Sequence, residues 1–395
     1  MSSPPLRVLV FSTLYPNERE PFKGLFVEQR VRQWHGVART DTRVVAPVPW
    51  WPWRHRAFGL YATYATVPRA EIRSGIPVLH PRFPVIPRIG MVIAPLLMFL
   101  AMIPVLNKLL RGGWNFEVID AHYFYPDGVA AALLGMWFRK PVIVTARGSD
   151  LNVIAAYALP RRMIVWAARR AVRNITVAAA LRDRLIALGA DPDSIEVLPN
   201  GVDPELFSPR GRMASRGVVR LPGPLLLSVG RLVPAKGHDL AIQALRDLPG
   251  WHLAVVGEGD RSVLQELAQH LGVADRVFLV GPVAQSELAN YYSAADALVL
   301  ASESEGMPNV VLEALACGTP VIATRVGDVP AILLSPAVGR LLTERSAAAI
   351  AWAVKDLQAA GSDAAELRAA ATRFSWSRTS EAQLRLLCAA GARAS

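Results

Sequence analysis

Two α/β domains in tandem, each a doubly wound parallel sheet, are what this sequence predicts. Three observations carry that expectation. Short β-branched runs alternate with longer helical patterns along the whole chain, the order in which βαβ units are written. The 395 residues suffice for two domains with full-sized cores, at roughly 100–200 residues each. A breaker-rich segment near the middle, Asp203-Pro204-Glu205-Leu206-Phe207-Ser208-Pro209-Arg210-Gly211, has the composition of a linker.

The strand candidates of the first half are Arg7–Phe11, Arg43–Ala46, Glu117–Ala121, Val142–Thr145 and Asn174–Ala178. Those of the second half are Leu225–Val229, His252–Val256, Arg276–Val280, Ala297–Ala301 and Pro320–Ala323. Helices fill the gaps, among them Gly24–Trp34, Asp239–Leu245 and Ser262–His270. Ligands of such sheets bind beyond the carboxyl ends of the strands, and a cleft between two domains is the default active site. One segment departs from the pattern. Residues 89–106, IGMVIAPLLMFLAMIPVL, run for eighteen positions without a charge, flanked by Arg82, Arg88, Lys108 and Arg111. That length meets the lower limit of a membrane span. A span would put Arg7–Phe11 and Glu117–Ala121 on opposite sides of a membrane, although both should share one sheet, and Pro95 and Pro104 speak against a continuous helix. Two readings stand: a buried or broken helix of the first domain, or a helix lying in the membrane interface.

Composition narrows the function. With 52% hydrophobic and 19% charged residues the chain is too apolar for disorder, and two cysteines are too few for a disulfide scaffold. Cys317 and Cys388 are expected as reduced thiols in a cytoplasmic protein. The opening MSSPPLRVLVFSTLYP has no basic region before a long apolar run, so no export is expected and the Asn174-Ile175-Thr176 sequon is read as accidental. The net charge of +11 is uneven: residues 1–210 hold 26 Lys and Arg against 15 Asp and Glu, whereas residues 211–395 hold 17 of each. Such a basic half could attract nucleic acid, an anionic membrane or a phosphorylated substrate.

The segment Ser304–Thr324, SEGMPNVVLEALACGTPVIAT, carries the most chemistry. Glu305 and Gly306 form a loop, Pro308 stands near the first helical turn where its missing N–H does no harm, and Cys317-Gly318 stops the helix. The stretch Met307, Pro308, Asn309 and Val310 then turns a helix N-terminus toward whatever lies above the strand ends, an anion site suited to phosphate or sugar oxygens. Glu313 comes eight residues after Glu305, so both carboxylates can line one pocket.

On these residues the sequence resembles the retaining glycosyltransferases of family 4, which have the GT-B architecture of two Rossmann-like domains facing a cleft. Their Glu-x7-Glu signature reads here from Glu305 through Gly306-Met307-Pro308 to Glu313. The resemblance implies that Glu305 lies by the donor sugar and that Glu313 hydrogen-bonds the ribose. Ser228-Val229-Gly230-Arg231-Leu232-Val233-Pro234-Ala235-Lys236-Gly237 resembles the strand-end motif whose Arg and Lys neutralise the donor diphosphate. Fixed cations aimed at a leaving group whose charge grows lower the barrier, a task that Arg231 and Lys236 fit. In Val255-Val256-Gly257-Glu258-Gly259 the glycines Gly257 and Gly259, with Gly230, let the backbone approach the nucleotide, and Val283 after Gly281-Pro282 is a base contact by the same resemblance.

In the first half, Leu14-Tyr15-Pro16 through Gly24 matches the family's glycine-containing loop near the reacting sugar. His122, at the end of a strand in Asp120-Ala121-His122-Tyr123-Phe124-Tyr125-Pro126-Asp127-Gly128, matches a histidine set against the donor sugar. Thr145-Ala146-Arg147-Gly148-Ser149-Asp150 matches a further substrate loop, which makes Arg147 and Asp150 binding candidates. The family often has His where Arg147 stands, and an Arg there suits an acceptor phosphate. Leu198-Pro199-Asn200-Gly201-Val202-Asp203 resembles the boundary motif and adds Asn200, while Phe374-Ser375-Trp376 resembles the start of a terminal helix that returns to the first domain. The implied domains are 1–205, an acceptor domain completed by the helix 374–395, and 206–373, a donor domain. Across 50–115 no motif matches. The likeness is greatest to cell-surface polysaccharide enzymes of the teichuronic-acid type, through Tyr125-Pro126-Asp127-Gly128 and Arg147-Gly148-Ser149-Asp150.

What the resemblance implies is a hexosyltransferase, with His122, Arg231, Lys236 and Glu305 as catalytic residues. It would move a sugar from a nucleotide-diphosphate donor to a lipid-linked or polysaccharide acceptor, with no cofactor. No metal is expected: Asp191-Pro192-Asp193 is the only Asp-x-Asp and follows Gly189 in a turn, and no Cys/His cluster could hold zinc. An anionic membrane surface is a candidate partner for the basic half. Nucleic acid is not, because no reader motif accompanies the charge. A sugar-nucleotide epimerase of the same architecture and a noncatalytic membrane-surface adaptor are the rival readings.

Overall fold

A computed structural model of the chain describes residues 4–37, 40–50, 60–86 and 90–392. It divides into two compact units, one of residues 1–199 with 377–395 and the other of residues 200–376. Each is a doubly wound parallel sheet with helices on both faces, as the alternation of patterns predicts.

The first unit contains β1 (Leu6–Phe11), β2 (Thr40–Val45), β3 (Val48–Trp50), β4 (Ala70–Arg73), β5 (Ile76–Leu79), β6 (Arg82–Pro84), β7 (Val118–His122), β8 (Val142–Ala146), β9 (Arg173–Thr176) and β10 (Ile195–Val197). Eight of them form one sheet in the order β10-β9-β8-β7-β1-β2-β5-β4, and β3 pairs with β6 apart from it. All pairings in the large sheet are parallel except that of β4 with β5. The central strands β7 and β8 are buried at every position; β8 reads as a nearly continuous apolar run rather than an alternating one, while β7 carries Asp120 and His122 into the interior. The terminal helix Trp376–Gly391 returns to this unit, and its Leu384, Leu387 and Ala390 join Val8, Val10 and Val118 in one core.

The second unit contains β11 (Leu225–Val229), β12 (His252–Val256), β13 (Val277–Gly281), β14 (Ala297–Leu300), β15 (Val321–Ala323) and β16 (Gly339–Leu341). Its order is β13-β12-β11-β14-β15-β16. Numbered within the unit this is the 3-2-1-4-5-6 arrangement of dinucleotide-binding folds, and it reverses direction between β11 and β14.

Two sequence expectations change. The breaker-rich run 203–211 is not a free linker, since the units meet the chain at 199/200 and 376/377. Phe207 is buried with its ring 6.0 Å from that of Tyr292, and Arg210 donates to Asn290 Oδ1 at 3.0 Å. The apolar segment is neither broken nor buried throughout. It forms one unbroken helix, Gly90–Arg111, of 22 residues, with Pro95 and Pro104 inside it. Pro95 cannot donate to the carbonyl of Met91, and the Tyr125 hydroxyl donates to that carbonyl instead. Met98, Met102 and Leu106 face the core, whereas Met91, Leu96 and Leu100 are exposed. Arg88 and Ile89, which belong to the segment and its flank, lie outside the described residues.

Candidate active site

The reversal of strand order in the second unit leaves an opening beyond the ends of β11 and β14, and the candidate residues collect there. The loop after β11 carries Arg231 and Lys236, and the loop after β14 carries Glu305. Lys236 Nζ donates to Glu305 Oε1 at 2.6 Å. The two loops are tied by their backbones as well, Glu303 N–H donating to the Ala235 carbonyl at 2.8 Å. Arg345 clamps both, donating to the carbonyls of Ala301 at 2.8 Å and Pro234 at 3.1 Å. Arg231 is exposed at the mouth of the opening. Its carbonyl is 3.1 Å from Nε2 of the buried His238, whose Nδ1 lies 2.8 Å from Ser228 Oγ. Burial holds His238 below the usual histidine range, so the neutral ring serves as a strut.

The helix Asn309–Ala316 starts beside this pair. In its first turn Val311 N–H donates to the Pro308 carbonyl at 3.1 Å, and the N–H groups of Asn309 and Val310, which precede any intrahelical acceptor, can donate to an anion or hydroxyl oxygen. Pro308 caps the helix, and Met307 and Pro308 are buried while Asn309 and Val310 are half-buried. Asn200 is fastened to this corner: its N–H reaches Met307 Sδ at 3.2 Å and its Nδ2 donates to Asn309 Oδ1 at 2.9 Å. One turn into the helix, Glu313 is buried and its Oε2 accepts from the Tyr292 hydroxyl at 2.7 Å. Burial raises the Glu313 carboxyl to about 7, against the opposing pull of the Tyr292 bond.

Across the opening, Gly230, Gly257 and Gly281 end β11, β12 and β13 in a flight of steps. Gly230 N–H donates to the Val256 carbonyl at 2.9 Å, and Gly257 N–H donates to the Gly281 carbonyl at 3.0 Å. A side chain at Gly257 would collide with the carbonyl of Gly230, so only glycine permits this stacking of strand ends. Gly259 is exposed and half-exposed Val283 follows β13, on the rim of the same steps.

In the first unit, strand order likewise reverses between β1 and β7, and the candidates follow those strands. Gly24 opens the helix Leu25–Val37 with φ +67°, against the Leu14 carbonyl, where a side chain would clash. His122 does end β7, but its ring is fully buried rather than open to a ligand. Nδ1 lies 2.8 Å from Arg147 Nη2, and Nε2 lies 3.3 Å from Asp120 Oδ2. Arginine has only donors to offer, so Nδ1 is the acceptor and the ring proton sits on Nε2. Burial depresses His122 to about 4, Asp120 opposing and Arg147 reinforcing, so the ring is neutral at physiological pH. Gln383 of the terminal helix donates to Asp120 Oδ2 at 2.7 Å and accepts from Arg30 Nε at 2.5 Å.

Arg147 is half-buried with its guanidinium 5.2 Å from the Phe26 ring centre. Asp150, expected to bind substrate, lies in the interior within the short helix Ser149–Asn152. It is fully buried, and its carboxylate already accepts the N–H groups of Phe124, Arg147 and Gly148 at 2.8–3.2 Å. It organises the loop that presents Arg147. Asp191 and Asp193 are exposed in a turn, Asp191 accepting from Asp193 N–H at 3.1 Å. Among the described residues no group of three or more His, Cys, Asp and Glu is placed to hold a metal.

Comparison with known proteins decides what these loops belong to. The family model "Glycosyl transferases group 1" matches residues 215–374, and "Glycosyltransferase Family 4" matches residues 54–206. TuaC of Bacillus subtilis, named as a teichuronic acid biosynthesis glycosyltransferase, is 31% identical over 361 residues, covering 88% of each chain. This chain belongs to the group 1 and family 4 glycosyltransferases. A D-inositol 3-phosphate glycosyltransferase of Acidothermus cellulolyticus is 33% identical over 300 residues, covering 68% of this chain. The glycosyltransferase spans 66% of that relative's own length, just under two thirds. Among solved structures, sucrose-phosphate synthase from Thermosynechococcus elongatus superposes with a TM-score of 0.79 at 21% identity, covering 97% of this chain and 98% of its own. Anabaena Alr3699/HepE in complex with UDP-glucose gives 0.73 at 21% identity, covering 97% and 99%. These neighbours share the GT-B fold.

Several residues that shape the glycosyltransferase's two openings escaped sequence reasoning. His238 and Tyr292 aim Arg231 and Glu313, while Arg30, Asp120 and Gln383 support His122. Asp127, fully buried, accepts from both the N–H and, at 2.9 Å, the hydroxyl of Thr13 at the end of β1. Asp120 and Asp127 stand inside a strand-end motif that the sequence displays and His238 directly follows another, so a polar residue in or beside such a motif is the available signal. Gln383 had none.

Proposed function

We propose that this glycosyltransferase transfers a hexosyl group from a nucleotide-diphosphate sugar to a hydroxyl of a lipid-linked or cell-surface polysaccharide acceptor, with retention at the anomeric carbon. The observation that carries the reading is the Lys236–Glu305 pair at the switch point of the second sheet, beside exposed Arg231 and the N-terminus of the helix Asn309–Ala316. A donor diphosphate set over the glycine steps would find Arg231 and Lys236 in front of it and the first-turn N–H groups beside it. Glu305 then falls to the sugar and Glu313 to the ribose. Solved neighbours bound to UDP and to UDP-glucose support a donor of this class.

In the reaction the bond from the anomeric carbon to the diphosphate oxygen breaks, and the acceptor oxygen bonds that carbon from the same face. The acceptor proton passes to the departing phosphate. Arg231 and Lys236 stabilise the charge that accumulates there, where fixed cations are worth more than mobile ones. His122, neutral and buried, holds Arg147, which we assign to an anionic group of the acceptor. The surplus of cations in the first half fits work at the inner face of the cytoplasmic membrane.

The test is a transfer assay with sugar nucleotides and a membrane fraction as acceptor, followed by determination of the product's anomeric configuration. Acceptor-dependent product with the donor's configuration supports the proposal. Inverted product would overturn retention, and donor turnover that yields only an epimerised sugar nucleotide would favour the epimerase instead.

A further inference from the structure

A cavity of about 390 Å³ opens in the first unit between the helices Gly90–Arg111, Val129–Phe138 and Ala158–Arg170. Val92, Leu96, Leu133, Leu159, Met163 and Trp166 line it, and among the described residues exposed Arg162 is the one charged residue in its wall. Leu96 is 50% and Leu159 46% exposed, so the groove is open along its edge rather than sealed. Around it stand further exposed apolar side chains, Met91, Leu100, Met136 and Trp137. Apolar patches of this kind on a folded protein mark an interaction surface.

Charge says what kind of partner fits. The three helices carry Lys108, Arg111, Arg161, Arg162, Arg169 and Arg170, and no carboxylate at all. A protein partner would be served by either sign of charge, whereas a hydrocarbon phase with an anionic surface needs apolar groups flanked by cations alone. The helix Gly90–Arg111 is about 33 Å long at 1.5 Å per residue and apolar enough to span a bilayer, yet Met98, Met102 and Leu106 are fully buried in the unit. It presents one face to the core and leaves the other unpartnered. The Tyr125 hydroxyl on the Met91 carbonyl and the edge contact of Phe99 with Trp137, 6.1 Å between ring centres, hold that exposed face in place.

We propose that this groove seats an acyl chain of an anionic phospholipid and so docks the enzyme on a bilayer surface, with Arg162 beside the headgroup phosphate. The inference rests on the reading that the acceptor is membrane-borne, but the binding needs no donor, acceptor or turnover. A chain that transfers sugar yet never binds vesicles overturns the groove proposal and leaves the transferase reading intact.

The experiment is flotation of the full chain with vesicles of phosphatidylglycerol and phosphatidylcholine, and with phosphatidylcholine alone. The chain should float with the first and remain behind with the second. L96D and L159D, at exposed positions that fold tolerates, should each lower binding at least tenfold, and R162Q should lower it about fivefold. V263D, an exposed apolar position of the second unit, should leave it unchanged. Vesicles with brominated acyl chains should quench tryptophan fluorescence less in W166F than in the unaltered chain, which reports the chain's entry into the groove independently of affinity. Equal binding to both vesicles, or flotation and quenching unaffected by every groove variant, would overturn the proposal. A dimer in vesicle-free solution that L96D dissociates would assign the groove to a second copy and overturn it too.

Discussion

Lys236 and Glu305, carried by loops that follow neighbouring strands β11 and β14, form a 2.6 Å ion pair at the point where the second sheet reverses its strand order. The lysine is held in place before any donor arrives, and the carboxylate holding it competes with a diphosphate for the same three protons. Opposite consequences follow for the two partners. Lys236→Ala should cut turnover by about 10²–10³-fold, the range seen when one fixed stabiliser of transition-state charge is removed, and should weaken nucleoside diphosphate binding. Glu305→Gln should also cut turnover, yet bind the nucleoside diphosphate as tightly as the unaltered enzyme or tighter, because Lys236 is released to it. Calorimetric titration of both variants checks the signs.

Glu313 predicts a pH dependence. Burial lifts its carboxyl from 4.5 to about 7, so the folded state favours the neutral acid. The stability it contributes is complete below about pH 4.5 and is lost as pH rises through about 7, to a total of about 3 kcal/mol at most. A ribose hydroxyl donates best to the ionised form, so affinity for a sugar nucleotide should climb toward pH 7 and then level. Glu313→Gln should melt higher than the unaltered enzyme at pH 8 and bind the donor more weakly. Affinity that stays flat from pH 5.5 to 8 would detach the ribose from Glu313.

His238 bridges Ser228 and the carbonyl of Arg231 while buried. His238→Ala leaves both groups without that partner, at a cost of about 1–3 kcal/mol, and frees the loop that aims Arg231. Thermal melting should fall by several degrees, and kcat should drop more than the KM for the donor changes.

Asp150 distinguishes a loop organiser from a ligand contact. Asp150→Ala abandons three backbone N–H groups in the interior, which should cost about 2–4 kcal/mol. Loss of melting temperature without a selective rise in the acceptor KM is the expected result; a large KM effect at unchanged stability would return Asp150 to the substrate.

Central strands were legible because burial on both faces writes them as mainly apolar runs: β11 and β12, with only Ser228 and His252 as polar members, match their expected limits residue for residue. Strands β3 to β6, β10 and β16 were missed because they are three or four residues long and only partly buried, whereas the equally short β9, β14 and β15 are almost wholly buried. For residues 89–106 the sequence leaves a buried or broken helix beside an interfacial one, because a proline's missing donor is visible in sequence, whereas the Tyr125 hydroxyl that makes good the loss comes from 34 residues away. The second-unit site was legible for a related reason. Its residues sit on strand-end loops with fixed local spacing, while the support of His122 depends on Gln383, 263 residues from Asp120.

A thermal-shift screen of sugar nucleotides with the unaltered enzyme and Lys236→Ala tests whether Lys236 and its neighbours form a donor diphosphate site. A bound donor at about 100 times its Kd stabilises the folded state by about 2.7 kcal/mol. At least one sugar nucleotide should raise the melting temperature of the unaltered enzyme, and the shift should be abolished in Lys236→Ala. A shift that persists unchanged in Lys236→Ala, or none with any nucleotide sugar, would contradict that assignment.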